Sequence, residues 1–202
     1  GRDPRDGLRY ACTTGFAVSD GLRTGVATAA HCPDEVALKE AGGISVPLPF
    51  AGQWGARTQD VQINLGPPGQ TADFYADRRS GALRTVRGAR SRLSTRGGEW
   101  LCHYGESSGY SCAEVELVNF APPGTLCAGA CAPTWVTVRT HDCRSGDSGG
   151  PVFSGDVAFG ITKGGSGGSH GSGRTTRCNF YFYMSTDFLP APWRLMVAPL
   201  SP

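Results

Sequence analysis

Lysine is almost missing from this chain. Of 19 basic residues only Lys39 and Lys163 are lysines, and the formal net charge is +2. A chain this close to neutral lacks the basic excess of a nucleic-acid binder, and the arginine preference reads as coding bias. No stretch is long and apolar enough to read as a membrane span or a signal peptide. The first residue is Gly1 and not Met, so the chain is expected to be the mature or trimmed form of a secreted precursor that also carries a pro-region. The 30 glycines and 14 prolines follow no Gly-x-y period, which excludes a collagen-like rod and leaves a loop-heavy, helix-poor globule. Tight ligand pairs of the structural-zinc kind are also lacking: three residues separate Cys127 from Cys131, and nine separate Cys102 from Cys112. No metal and no cofactor is expected.

What is present suits one soluble domain. With 202 residues, 39% hydrophobic and 18% charged, the length is ordinary for a single all-β domain. The eight cysteines are Cys12, Cys32, Cys102, Cys112, Cys127, Cys131, Cys143 and Cys178. An even count points to four disulfides and an oxidising compartment, and composition alone leaves their connectivity open.

The most informative stretch is Cys143-Arg144-Ser145-Gly146-Asp147-Ser148-Gly149-Gly150-Pro151. Three glycines make it too costly to order as a core helix, so it reads as a sharply turned loop between a cysteine and a strand. There Ser148 presents its hydroxyl beside the N–H groups of Gly146 and Ser148, where a developing oxyanion would sit. Two more segments match it. In Thr28-Ala29-Ala30-His31-Cys32 a histidine follows small residues and precedes a cysteine. A histidine alone is more often a surface group or a satisfied core group. Asp60 heads residues 60–65, which alternate with period two like a strand.

The rest reads as strands and turns. Residues 10–18 and 25–30 form a hairpin after a loosely held arm at 1–9. A helical turn is expected after Pro33, where Glu35, Lys39 and Glu40 share a face. Residues 44–50 hold Pro47 and Pro49 and read as an edge strand or irregular. Arginines 78, 79, 84, 87, 90, 92 and 96 have no interleaved aromatics, which argues against a single-strand stacking platform. They read as a solvated face, with an anion-attracting patch as the sharper alternative. Residues 99–103 and 110–118 form a hairpin. Residues 135–140 and 157–162 are strands. The glycine run at 164–168 leaves room for a ligand backbone to pair alongside. Residues 180–183 suit a buried strand, and Pro190 and Pro192 allow residues 184–197 a short helix at best.

Gly-Asp-Ser-Gly-Gly-Pro at 146–151, Thr-Ala-Ala-His-Cys at 28–32 and Asp60 before a strand resemble the chymotrypsin-like serine proteases, in that family's His-Asp-Ser order. The 102–112 cysteine hairpin resembles the bacterial members related to alpha-lytic protease and the streptogrisins. Together the likeness spans roughly residues 10–200. It implies an all-β fold of two packed six-stranded antiparallel β-barrels, with a short C-terminal helix at best. The N-terminal barrel is expected at about 10–75 and the C-terminal one at about 80–190, within one trypsin-like domain over 1–202. It implies a triad of His31, Asp60 and Ser148 and an oxyanion hole from Gly146 and Ser148. Substrate would contact Arg144, Ser145, Lys163, Gly164, Gly165, Tyr181 and Phe182. The implied disulfides are Cys12–Cys32, Cys102–Cys112 and Cys143–Cys178, the last across an apparent insertion at 169–177, with Cys127 and Cys131 left over. The implied protein is a secreted, monomeric bacterial endopeptidase with a peptide or protein substrate and neither nucleic acid nor membrane as partner.

Three departures stand against that pattern. No Ile-Val-Gly-Gly-like start offers an amine to Asp147. Bacterial relatives place a buried arginine just after the first hairpin cysteine, and here that position is His103, which is expected to contact and support Asp147. Lys163 stands where relatives carry a serine on the catalytic aspartate. It either pairs with Asp60, competes for it against His31, or points outward. Finally, two residues separate Cys143 from Gly146, where many relatives have three. That alters the pocket wall. Arg144 reaching in would favour acidic side chains, and a small or hydrophobic pocket is the other reading. His103 and Lys163 also motivate an alternative, a protease-fold binding protein with weak or no activity. A third reading, an anionic-polymer binder, rests on the arginine stretch and predicts salt-sensitive binding.

Overall fold

The computed structural model describes residues 7, 10–39, 45–77, 80–124, 126–140, 142–166 and 178–199. Most of the arm at 1–9, Arg78, Arg79 and the insertion at 169–177 lie outside them. In the first part of the chain the strands are β1 (Ala17–Ser19), β2 (Thr24–Thr28), β3 (Val36–Lys39), β4 (Ser45–Leu48), β5 (Phe50–Ala56), β6 (Gln59–Leu65), β7 (Asp73–Asp77), β8 (Ala82–Thr85) and β9 (Gly88–Ala89). Then come β10 (Trp100–Gly105), β11 (Gly109–Phe120), β12 (Trp135–Arg139), β13 (Pro151–Ser154), β14 (Val157–Gly165), β15 (Phe180–Ser185) and β16 (Arg194–Leu195).

The second half closes on itself. β13 pairs with both β10 and β14, so six strands form a ring in the order β13-β10-β11-β12-β15-β14. Alternation explains the ring. Leu101, Val115, Val136, Val138, Val152, Phe159, Tyr181 and Tyr183 make one buried cluster. The first half differs. β16-β1-β2-β6-β5 is an open sheet, and β3–β4 and β7–β8 are separate two-stranded hairpins. The expected pair of six-stranded barrels is thus corrected to one closed barrel beside open sheets. Closure requires every strand to be paired on both edges, and β16 and β5, at the ends of the open sheet, each pair on one side only. β1 has only three residues, and the segment after β2 folds back on itself as β3–β4, where Pro47 has no N–H to donate.

Two local expectations also change. The segment after Pro33 is strand β3 and not a helical turn, because pairing Val36 with Leu48 and Leu38 with Val46 outweighs weak same-face charge pairs. No C-terminal α-helix forms among the described residues. A 3-10 turn, Thr186–Phe188, precedes Pro190 and Pro192, and the chain then adds β16 to β1. A shared cluster joins the halves: Val18, Ala27, Val61 and Ile63 from the open sheet meet Trp135, Ile161, Phe182 and Met184 from the barrel.

Candidate active site

His31 follows the end of β2 in a turn that Ala29 and Ala30, both buried, are small enough to make. The Cys32 N–H donates to the Ala29 carbonyl at 3.1 Å, and the Cys12–Cys32 disulfide anchors the far side. The Gln53 side-chain amide donates to the Ala30 carbonyl. Asp60 lies opposite Gly55 of β5 and is 3% exposed. One carboxylate oxygen accepts the His31 backbone N–H at 3.2 Å, and the other lies 2.8 Å from His31 Nδ1. With Nδ1 donating to Asp60, Nε2 is left as the acceptor. It lies 2.8 Å from Ser148 Oγ. The hydroxyl's other acceptor in reach is the Lys163 carbonyl, at 3.3 Å.

The Ser148 loop is shaped by backbone. Gly146 has φ +105° and Gly149 φ +87°, in the left-handed region that side chains disfavour. A Cβ on Gly149 would run into Thr28 Oγ1 and the Thr13 carbonyl. Asp147 is buried under the loop. Its oxygens accept the N–H groups of Ser107 at 3.1 Å, Ser108 at 3.0 Å and Arg144 at 2.6 Å. The N–H groups of Gly146 and Ser148 donate to no acceptor among the described residues.

His103 is not among the groups that hydrogen-bond Asp147. Its ring nitrogens face Ser108 Oγ at 3.3 Å and Ser111 Oγ at 3.2 Å, and its ring lies 4.5 Å from that of Tyr181. Burial pushes the imidazole down, against the opposing pull of Asp147 and Asp142. Three amides thus hold Asp147, and His103 reaches it only through the field and through Ser108.

Lys163 sits at a bulge in β14, where Thr162 opposes Tyr183 and Gly164 opposes Phe182. The bulge turns its side chain inward. Nζ lies 3.0 Å from Asp60 Oδ2, the oxygen that also faces His31, and 5.3 Å from the Trp135 ring centre. Of the three readings open in the sequence, the outward one is not adopted: Lys163 pairs with Asp60 on the oxygen that His31 also uses. Burial pushes the Asp60 carboxyl up, but His31 first and then Lys163 outweigh it and hold it below its ordinary value.

The remaining expected residues divide by exposure. Arg144 and Ser145 are exposed at the loop. Gly164 and Gly165 are half-buried, and a Cβ on Gly165 would strike Cys143 Sγ. Pairing of β13 with β14 ends at Pro151 and Ile161, so Lys163, Gly164 and Gly165 continue past it beside Ser148. Tyr181 and Phe182 are buried, Tyr181 inside the barrel and Phe182 against Trp135 and Phe120. The cysteines pair as Cys12–Cys32, Cys102–Cys112, Cys127–Cys131 and Cys143–Cys178. All five described arginines of the basic stretch donate to backbone carbonyls: Arg84 to Gly155, Arg87 to Pro199, Arg90 to Ser94, Arg92 to Val118 and Arg96 to Leu93. They are structural ties more than an open patch.

Sequence reasoning missed Thr13. Its N–H donates to the Ser148 carbonyl and its hydroxyl to the Gly146 carbonyl, both at 2.8 Å. Its own carbonyl accepts from Thr28 Oγ1 at 2.8 Å, and its hydroxyl accepts the Glu106 N–H at 2.9 Å. Thr13 thereby ties the His31 strand to the Ser148 loop. Trp135, the ring beside Lys163, reads in the sequence only as the start of a strand. Neither residue type carries a local signal for such a role.

No protein-family model matches the chain. Streptogrisin-C of Streptomyces griseus is 28% identical over 179 residues, which are 81% of this chain and 34% of that protein, so the chain spans about a third of the length of that curated relative. Among solved structures, Thermobifida fusca Protease A superposes with TM-score 0.68 at 25% identity, covering 95% of this chain and 94% of that one. A Cellulomonas bogoriensis chymotrypsin superposes with TM-score 0.67 at 25% identity, covering 93% and 92%.

Proposed function

We propose that this chain, which has the chymotrypsin-like serine-protease fold and is related to the bacterial alpha-lytic-protease and streptogrisin-type proteases, is a secreted serine endopeptidase. The observation that carries this reading is one continuous hydrogen-bond chain. Asp60 faces His31 Nδ1, and His31 Nε2 faces Ser148 Oγ, each at 2.8 Å, and the Gly146 and Ser148 amides donate to no acceptor among the described residues.

In this mechanism His31 Nε2 takes the proton from Ser148 Oγ as the oxygen attacks a peptide carbonyl. The Gly146 and Ser148 N–H groups receive the oxyanion. Asp60 fixes the imidazole tautomer and stabilises the transient imidazolium. The proton passes to the leaving amine, and a water activated by His31 then releases the acyl group. All three side chains come from one chain, which suits a monomer. Substrate would lie along Lys163, Gly164 and Gly165 as an added strand, with Arg144 and Ser145 at the mouth of the primary pocket. Four disulfides fit an oxidising, extracellular setting. Among the described residues no helix is long and apolar enough to cross a membrane.

The test is titration with a serine-reactive fluorophosphonate, followed by intact mass, with Ser148→Ala as control. Stoichiometric labelling of the parent and none of the variant is the expected result. An unlabelled parent at every pH from neutral to alkaline would return the chain to the binding-protein reading.

A further inference from the structure

A lysine ammonium buried on the orienting carboxylate changes the charge of the whole constellation. Lys163 is 7% exposed and Asp60 3%. The 3.0 Å contact therefore forms out of water, where removing one partner strands the other. The Trp135 face gives the ammonium a second stabilising neighbour. His31 and Lys163 share one oxygen, Asp60 Oδ2. An imidazolium forming at His31 thus meets an ion pair and not a free carboxylate.

Among the described residues, the charged groups that bear on Asp60 are His31 and Lys163. β2 and its following turn bring His31 and Asp34, and Asp34 contacts the Gln53 amide. β6 brings Asp60. β14 brings Lys163. The β5–β6 turn brings Arg57, whose carbonyl accepts from Ala132. β12 and β15 contribute Trp135 and Met184, and Met184 Sδ accepts the Asp60 N–H. The Ser148 loop contributes Asp147, which is held by its three amides.

We propose that Lys163 is a positioning residue that sets the pH range of the reaction, holding Asp60 in place while weakening its grip on a protonated His31. The inference rests on the serine-protease reading. The shared oxygen puts the acidic limb of the rate profile lower with Lys163 in place than with a neutral residue there.

The experiment follows the rate of fluorophosphonate labelling at Ser148 from acidic to alkaline pH in the parent, K163M, K163Q and K163R. Rates are read by intact mass, so a partly folded preparation still reports its folded fraction. The acidic limb is expected to rise by about one pH unit in K163M and K163Q, the size of a close charge removed from a partly screened site. K163R, which keeps the cation, is expected to hold the parent's limb. Limbs that coincide in the parent and both neutral variants would overturn the proposal, as would an equal shift in K163R. A parent that never labels would sink the protease reading itself, a distinct outcome.

Discussion

Ser148 and His31 come from halves that are built differently. The Ser148 loop hangs from a closed barrel whose strands are paired around the ring, and it is shaped by amides on Asp147 and by left-handed glycines. The His31 turn hangs from an open sheet, and side chains do the holding: Gln53 on the Ala30 carbonyl, Asp60 on the ring, Cys12–Cys32 behind. The Ser148 loop has a cross-link of its own in Cys143–Cys178, but it also springs from a ring without an edge, which the open sheet is not. Thr13 bridges the two schemes. The open half should therefore be the sensitive one.

The largest expected effect comes from Asp60→Asn. In the serine-protease template the loss of this charge, with its wrong tautomer, lowers kcat by about 10⁴. Here Lys163 would also be left buried without its partner, so the melting temperature should fall as well. Peptidase kinetics and a thermal melt on one sample check both.

The comparison is sharpened by removing one disulfide from each half. Cys12–Cys32 closes a separation of 20 residues and Cys102–Cys112 one of 10. Chain entropy assigns each about 3 kcal/mol of stability. Activity should separate them. The C12A/C32A variant is expected to lose turnover at temperatures where it remains folded, and C102A/C112A, whose cysteines already face each other across β10 and β11, to keep most of it. Equal losses would contradict the contrast between the halves.

A smaller effect is expected from Thr13→Val. It keeps the shape and loses the hydroxyl that joins Gly146 and Glu106. One or two buried hydrogen bonds are worth about 1–2 kcal/mol, or roughly tenfold in kcat with KM little changed. Thr13→Ser should restore the rate.

The smallest effect concerns pH and stability in the closed half. His103 titrates below its ordinary value because it is buried. As pH falls below about 6.5, the unfolded chain takes up a proton that the folded chain still refuses, so stability declines toward the folded value. Melting temperature should slope downward over that window in the parent, and His103→Asn should flatten part of the slope.

Much of the candidate site was legible. Residues 28–32 and 146–151 each combine a reactive side chain with the small residues or glycines its backbone needs, and Asp60 is marked by the alternation that follows it. Thr13 was invisible, because its four bonds join segments distant in sequence and a threonine after a cysteine signals nothing. Lys163 was visible as an oddity and undecidable in direction, since a single-residue bulge reverses which face a side chain takes. His103 was placed in the right region, but its bonds go to serines because three amides already occupy Asp147.

By itself the sequence determined the chemistry on offer: a nucleophile loop, a histidine, an acidic strand head, the cysteines and the strand periodicity. These are local properties, set by side-chain type and backbone freedom within a few residues. Only the tertiary structure decided that one half closes and the other stays open, that Thr13 bridges them, and that Lys163 shares the carboxylate of His31. Each of these depends on which distant groups compete for the same hydrogen bonds and the same buried space, and that competition exists only once the chain has folded.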